Sequence, residues 1–120
     1  MRVLLADDST TMRTIIRRSL EALGFQGTVE AADGTQAYEM FQQGGVDLVL
    51  TDWNMPGKTG LELTREIRKT DKKVPIVMIT TEAEKARVLE AIEAGVSDYL
   101  VKPFTKEALQ KKLEGLTQPA

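Results

Sequence analysis

Val3-Leu4-Leu5-Ala6-Asp7-Asp8-Ser9-Thr10 is the stretch that decides the fold. Four apolar residues in a row stop at two carboxylates, and two hydroxyl residues follow. A short unbroken apolar run is the signature of a strand buried on both faces, since a half-exposed strand would alternate. From Thr10 the period changes. Met12, Ile15, Ile16, Ser19, Leu20 and Leu23 recur at helical spacing, with Arg13, Arg17, Arg18 and Glu21 on the other side. Ser9 or Thr10 can cap the start of that helix, and Gly24 can take the left-handed turn at its end.

The same unit recurs along the chain. Strands are expected at Thr28–Ala32, Val46–Thr51, Val74–Ile79 and Tyr99–Val101. Helices are expected at Thr35–Gln43, about Leu61–Lys69, Ala83–Ala94 and Lys106–Leu116. Gly44-Gly45 and Gly95 stop two of the helices, and Pro75 stands at a strand start, where a missing N–H is tolerated. Gln118-Pro119-Ala120 is expected to be a frayed tail. Five strands alternating with five helices imply an α/β fold, a parallel sheet covered on both faces.

Composition narrows the function. The 120 residues, 42% hydrophobic and 28% charged, suit one globular domain, residues 1–120, with no linker. A net charge of −2 gives no basic excess for nucleic acid. No apolar run approaches the roughly 20 residues of a membrane span. The apolar start is too short for a signal peptide and turns acidic at once, so a cytoplasmic protein is expected. Cysteine and histidine are both absent. That excludes disulfides, thiolate or imidazole metal sites, histidine triads and any phosphohistidine of the chain's own.

Ligands of open parallel sheets bind beyond the carboxyl ends of the strands. Asp7 and Asp8 follow the first strand, Asp52 ends the third, Thr80 ends the fourth, and Lys102 follows the fifth. Taken singly, each has an ordinary explanation: a turn former, a helix cap, a solvated lysine. Taken together, they would gather three carboxylates, a hydroxyl and an ammonium at one edge, across 95 positions of sequence. Clustered carboxylates repel, and a hard divalent cation relieves them. With oxygen donors alone, magnesium or manganese suits the set better than zinc. Such a site fits phosphoryl transfer by positioning and electrostatics.

At these residues the chain resembles the receiver domains of response regulators, most of all the chemotaxis type. The matching pieces are Ala6-Asp7-Asp8-Ser9, Thr51-Asp52-Trp53-Asn54-Met55-Pro56, Gly60-Leu61-Glu62-Leu63, Ile79-Thr80, Gly95 and Val101-Lys102-Pro103-Phe104-Thr105. The resemblance covers nearly the whole chain. It implies a flavodoxin-like doubly wound sheet of five parallel strands in the order 2-1-3-4-5, with five helices. Asp52 would be the phosphoacceptor, and Lys102 and Thr80 would bind the phosphoryl group. Mg2+ would be held by Asp7, Asp8, Asp52 and the backbone carbonyl of Asn54. Thr80 and Tyr99 would form the switch pair, and Asn54 and Glu82 would tune the phosphate lifetime. The Lys102-Pro103 bond would be cis. Ala83, Lys85, Val88, Tyr99, Val101 and Lys112 would form the partner face on the fourth helix, last strand and last helix.

The implied partners are a sensor histidine kinase and a downstream protein target, with a flagellar-motor switch protein as one candidate. The chain would act as a monomer, without nucleic acid or membrane insertion. Its catalysis would be confined to its own phosphorylation and autodephosphorylation. Gly57-Lys58-Thr59 and Thr81 depart from the chemotaxis form. Three other readings compete. A flavodoxin-like electron carrier would place a flavin phosphate where Asp7 and Asp8 stand, and these would repel it. A docking module or phosphorelay intermediate in another pathway would share the fold. A piece of a longer regulator is less favoured, because the sequence stops just after the last helix.

Overall fold

The computed structural model describes residues 1–117 of the chain, so the expected tail at 118–120 lies outside the described residues. The elements run β1 (Val3–Ala6), α1 (Thr10–Ala22), β2 (Val29–Ala31), α2 (Gly34–Gln42), β3 (Leu48–Thr51), α3 (Gly60–Thr70), β4 (Ile76–Thr80), α4 (Lys85–Ala94), β5 (Asp98–Val101) and α5 (Lys106–Thr117). All strand pairs are parallel, in the order β2-β1-β3-β4-β5. The expected architecture is thus present, and the elements differ from expectation only at their ends. The fourth helix starts at Lys85 rather than Ala83, because Glu84 is still extended at φ −65°, ψ 137°.

Apolar runs on the central strands let both faces of the sheet be covered. Side chains alternate across a strand. Leu4, Ala6, Val49, Ile76 and Met78 face one layer with Ala37 of α2, Leu63 and Ile67 of α3 and Ala91 of α4. Val3, Leu5, Leu48, Leu50, Val77 and Ile79 face the other with Ile16 and Leu20 of α1 and Leu109 and Leu113 of α5. Truncating any fully buried leucine here to alanine should cost about 2–5 kcal/mol.

One expectation for α1 fails. Ile15 was placed on the apolar face, but it is 47% exposed. The helix rests on the sheet along Ile16 and Leu20. Arg13 and Arg17, expected on the solvent side, instead turn to Glu30 of β2 at 3.1 and 3.2 Å. The side of α1 that meets β2 thus carries Arg13 and Arg17, and Ile15 is left towards solvent.

The direction of winding reverses between β1 and β3, the place where an open α/β sheet leaves a crevice.

Candidate functional site

Parallel registers fix how far each strand projects. The N–H of Asp7 donates to the Ala31 carbonyl at 3.1 Å, and that of Asp52 to the Ala6 carbonyl at 2.9 Å. The two aspartates therefore leave the sheet side by side at the β1–β3 crevice. Asp7, Asp8 and Asp52 each offer an oxygen, and the three oxygens lie within 4.8 Å of one another. Asp7 is 2% exposed, while Asp8 faces solvent.

Lys102 joins the cluster from the end of β5. Its N–H donates to the Thr80 carbonyl at 2.8 Å, and its side chain crosses the sheet edge. Nζ donates to Asp7 Oδ2 at 2.7 Å and to Asp52 Oδ2 at 3.2 Å. The peptide to Pro103 is cis, as the resemblance implied. The remaining oxygens are held by backbone: Asp7 Oδ1 accepts from Ser9 N–H at 2.8 Å, and Asp52 Oδ1 from Trp53 N–H at 2.6 Å. Ser9 also caps α1 by accepting from Met12 N–H at 3.2 Å. The helix start and the acid cluster are thus built from one turn.

Thr80 is fully buried at the end of β4, and its hydroxyl accepts from Glu82 N–H at 3.3 Å. Tyr99 packs half-buried against the α2–α4 layer and donates its hydroxyl hydrogen to the Glu82 carbonyl. Burial, then the charges of Glu82 and Asp52, push its phenol pKa up, against the opposing charge of Arg87. Asn54 and Glu82, placed together only by the fold, meet across the mouth: Asn54 Nδ2 donates to Glu82 Oε1 at 3.1 Å.

The loop between β3 and α3, which begins at Asp52, is clamped from below. Thr59 and Glu62 form a reciprocal capping box at the start of α3, with bonds of 3.1 and 3.0 Å. Hydrogen bonding from the Thr59 N–H, and then from its hydroxyl, holds the Glu62 carboxyl below its usual pKa. Lys58 stands 5.9 Å from the Tyr38 ring centroid. Lys58 and Thr59, which depart from the chemotaxis form of the family, are therefore structural parts of this loop. Gly60 lies so close to the Asp52 carbonyl that a Cβ there would collide with it.

The expected partner residues form a half-open surface. Ala83, Lys85 and Val101 are exposed and Val88 and Tyr99 are half-buried, while Lys112 holds Asp98 at 3.0 Å. Leu89 and Ile92 of α4, which the sequence did not single out, are 50% and 52% exposed. Two further contributors were missed. Arg13 donates to the Asp7 carbonyl, and Arg87 lies over Trp53 with Cζ 5.4 Å from the ring centroid. Helical spacing put Arg13 on the solvent side and did not single out Arg87, and nothing in it marks a partner in another element.

Comparison with known proteins agrees with this geometry. Residues 3–114 match a family model described as the response regulator receiver domain. The chemotaxis protein CheY of Pseudomonas aeruginosa is 47% identical over 116 residues, 95% of this chain and 94% of that one. A chemotaxis protein CheY homolog of Campylobacter jejuni is 45% identical over 117 residues, 95% of this chain and 90% of that one. The solved structure of the chemotaxis response regulator CheY4 of Vibrio cholerae superposes with a TM-score of 0.89 at 35% identity, covering 96% of this chain and 97% of that one.

Proposed function

The chain belongs to the response regulator receiver domain family, and from that premise we propose that it is a phosphorylation switch of the chemotaxis type. In this reading Asp52 accepts a phosphoryl group from the phosphohistidine of a sensor kinase, and the changed surface controls a downstream protein. The observation that carries the reading is the placement of Lys102 between Asp7 and Asp52, beside the exposed Asp8 and across from Thr80.

The donor set fits Mg2+. Three carboxylate oxygens converge, no nitrogen or sulfur ligand is among them, and Asp8 opens the cluster to solvent. Asp7, Asp8, Asp52 and the Asn54 carbonyl would hold the ion. Bound there, Mg2+ would neutralise charge on the entering phosphoryl group and on the carboxylates.

The chain's own residues carry the rest. Trp53 N–H holds one oxygen of Asp52, which leaves the other to attack phosphorus as the P–N bond of the donor breaks. Lys102 then exchanges its longer contact, to Asp52, for a phosphoryl oxygen, while Asp7 keeps it in place. The Thr80 hydroxyl donates to a second phosphoryl oxygen. That movement frees room beside β4 for the Tyr99 ring and biases the start of α4. Hydrolysis returns the carboxylate and releases phosphate, with water approaching past Asn54 and Glu82, which set its access.

The output surface is Ala83, Lys85, Val88, Tyr99, Val101 and Lys112, and its partner is a protein, with a flagellar-motor switch component as one candidate. Among the described residues no helix is long and apolar enough to cross a membrane. The chain acts as a cytoplasmic monomer in this reading.

Trp53 gives the test. Its fluorescence should change on adding Mg2+ and change again on adding acetyl phosphate, and only the first change should survive in Asp52→Asn. A persistent, acid-stable phosphate on that variant, or silence of the native chain towards both additions, would refute the reading.

A further inference from the structure

One residue connects the acceptor loop to the outward-facing helix from within that helix. Arg87 stands in the first turn of α4, with its Cζ 5.4 Å from the centroid of the Trp53 ring and Nη1 3.5 Å from Glu90 Oε1. Trp53 is only 6% exposed, and its own N–H is bonded to Asp52 Oδ1. Trp53 therefore meets the proposed acceptor through its backbone and Arg87 through its ring.

The start of α4 is otherwise lightly tied. Glu84 stands at the cap position and makes no side-chain cap bond. The Tyr99 hydroxyl and the Asn54 amide both end on Glu82, in the loop before the helix. The charge of Arg87 is also felt at the Tyr99 hydroxyl, where it opposes Glu82 and Asp52.

We propose that Arg87 is a positioning residue that couples the charge on Asp52 to the pose of α4, an inference that rests on the phosphorylation reading above. Its two contacts are both weak, one to the buried ring of Trp53 and one, exposed to solvent, to Glu90 on its own helix. Two weak resting places divide the guanidinium between the site and the helix, so a modest bias redistributes it. Phosphorylation replaces the single negative charge of the Asp52 carboxylate with a phosphoryl group that carries about −1.5 to −2 charges, beside Trp53. That charge draws the cation to the Trp53 side and away from Glu90, and the first turn of α4 follows it. The coupling is electrostatic and acts on the helix, so it adds nothing to the transfer step itself.

The test uses the full chain with 3-fluorotyrosine incorporated, Tyr38→Phe leaving Tyr99 as the only fluorine probe. Phosphate uptake from acetyl phosphate with Mg2+ is followed separately by intact mass. In Arg87→Ala, uptake should stay within about twofold of the native rate. The displacement of the Tyr99 resonance on phosphorylation should fall to below about half. Glu90→Gln, which frees Arg87 from its own helix, should keep or enlarge that displacement. An unchanged displacement in Arg87→Ala at matched phosphate occupancy overturns the proposal. So does an uptake slower by about tenfold or more, which would place Arg87 in the transfer itself. A native chain that takes up no phosphate removes the phosphorylation reading on which the proposal stands, and the mass measurement alone reveals that case.

Discussion

The ammonium of Lys102 is held closer to Asp7 than to Asp52, at 2.7 Å against 3.2 Å. The lysine is thus anchored on the more buried wall of the site, and its looser contact points at the carboxylate proposed to react. All three side chains are at least partly buried, with exposures of 10%, 2% and 12% for Lys102, Asp7 and Asp52. Removing one partner of such a group leaves the others without compensation. Lys102→Ala should lose about 3–5 kcal/mol in urea unfolding with chelator present, the loss being partly recovered with Mg2+. Its Trp53 fluorescence should still answer Mg2+ but no longer answer acetyl phosphate. A full response to both would remove Lys102 from the phosphoryl site.

Asp8 should show the opposite balance. It is exposed and stands among like charges, so in the metal-free protein it mainly adds repulsion. Asp8→Asn is expected to stabilise the chain by about 0.5–1 kcal/mol in chelator. The same change should weaken Mg2+ binding by about tenfold, because the open side of the cluster loses a ligand. Calorimetric titration and chemical unfolding together check this, and equal Mg2+ affinity in the two proteins would place the ion elsewhere.

Gly60 tests the wall of the acceptor loop. An added methyl group meets the Asp52 carbonyl, which is backbone and cannot step aside, and beyond it the Met78 sulfur. Gly60→Ala should destabilise by about 1–3 kcal/mol, through crowding and despite alanine's better helix propensity. Phosphate uptake should slow with it, since the backbone of Asp52, the proposed acceptor, must shift. A stabilised variant would show that α3 can slide away from β3 at no cost.

Asp71 supplies a pH dependence away from the site. Its Oδ1 accepts from Lys73 N–H at 2.8 Å and Val74 N–H at 2.9 Å. These bonds, helped by the charges of Arg68 and Lys73, hold its carboxyl below the usual range despite burial. The folded pKa lies below the unfolded one, so acid protonates the unfolded chain first. The contribution is present above the unfolded value of about 3.9 and is lost as pH falls through the folded value. The stability gap between the native chain and Asp71→Ala should therefore narrow below about pH 4. A gap that widens in acid would show that the carboxylate is not the favoured form in the fold.

The strands were legible because both-face burial writes itself as apolar runs, from Val3–Ala6 to Ile76–Thr80. The acid cluster was legible because parallel strands deliver their last residues to one edge, so Asp7, Asp52 and Lys102 could be placed together without coordinates. Ile15 was misplaced because spacing alone does not show that Arg13 and Arg17 pair with Glu30 of β2. The Asn54–Glu82 bond and the Arg87–Trp53 contact were also invisible, since they join loops and a helix whose approach depends on packing. Period and position report on an element's own faces, and contacts between side chains of different elements lie beyond them.

All the residues proposed for the chemistry stand at one rim of the sheet. The opposite rim carries the turns at Gly24–Thr28, Gln43–Asp47 and Asp71–Pro75, none of which enters the site. Gly44 and Gly45 there are exposed and take positive φ values of 88° and 78°. A fluorescent protein or an affinity handle spliced between those two glycines would extend away from the rim that carries the acid cluster, so that the chain could serve as a cartridge in a biosensor with that rim left free.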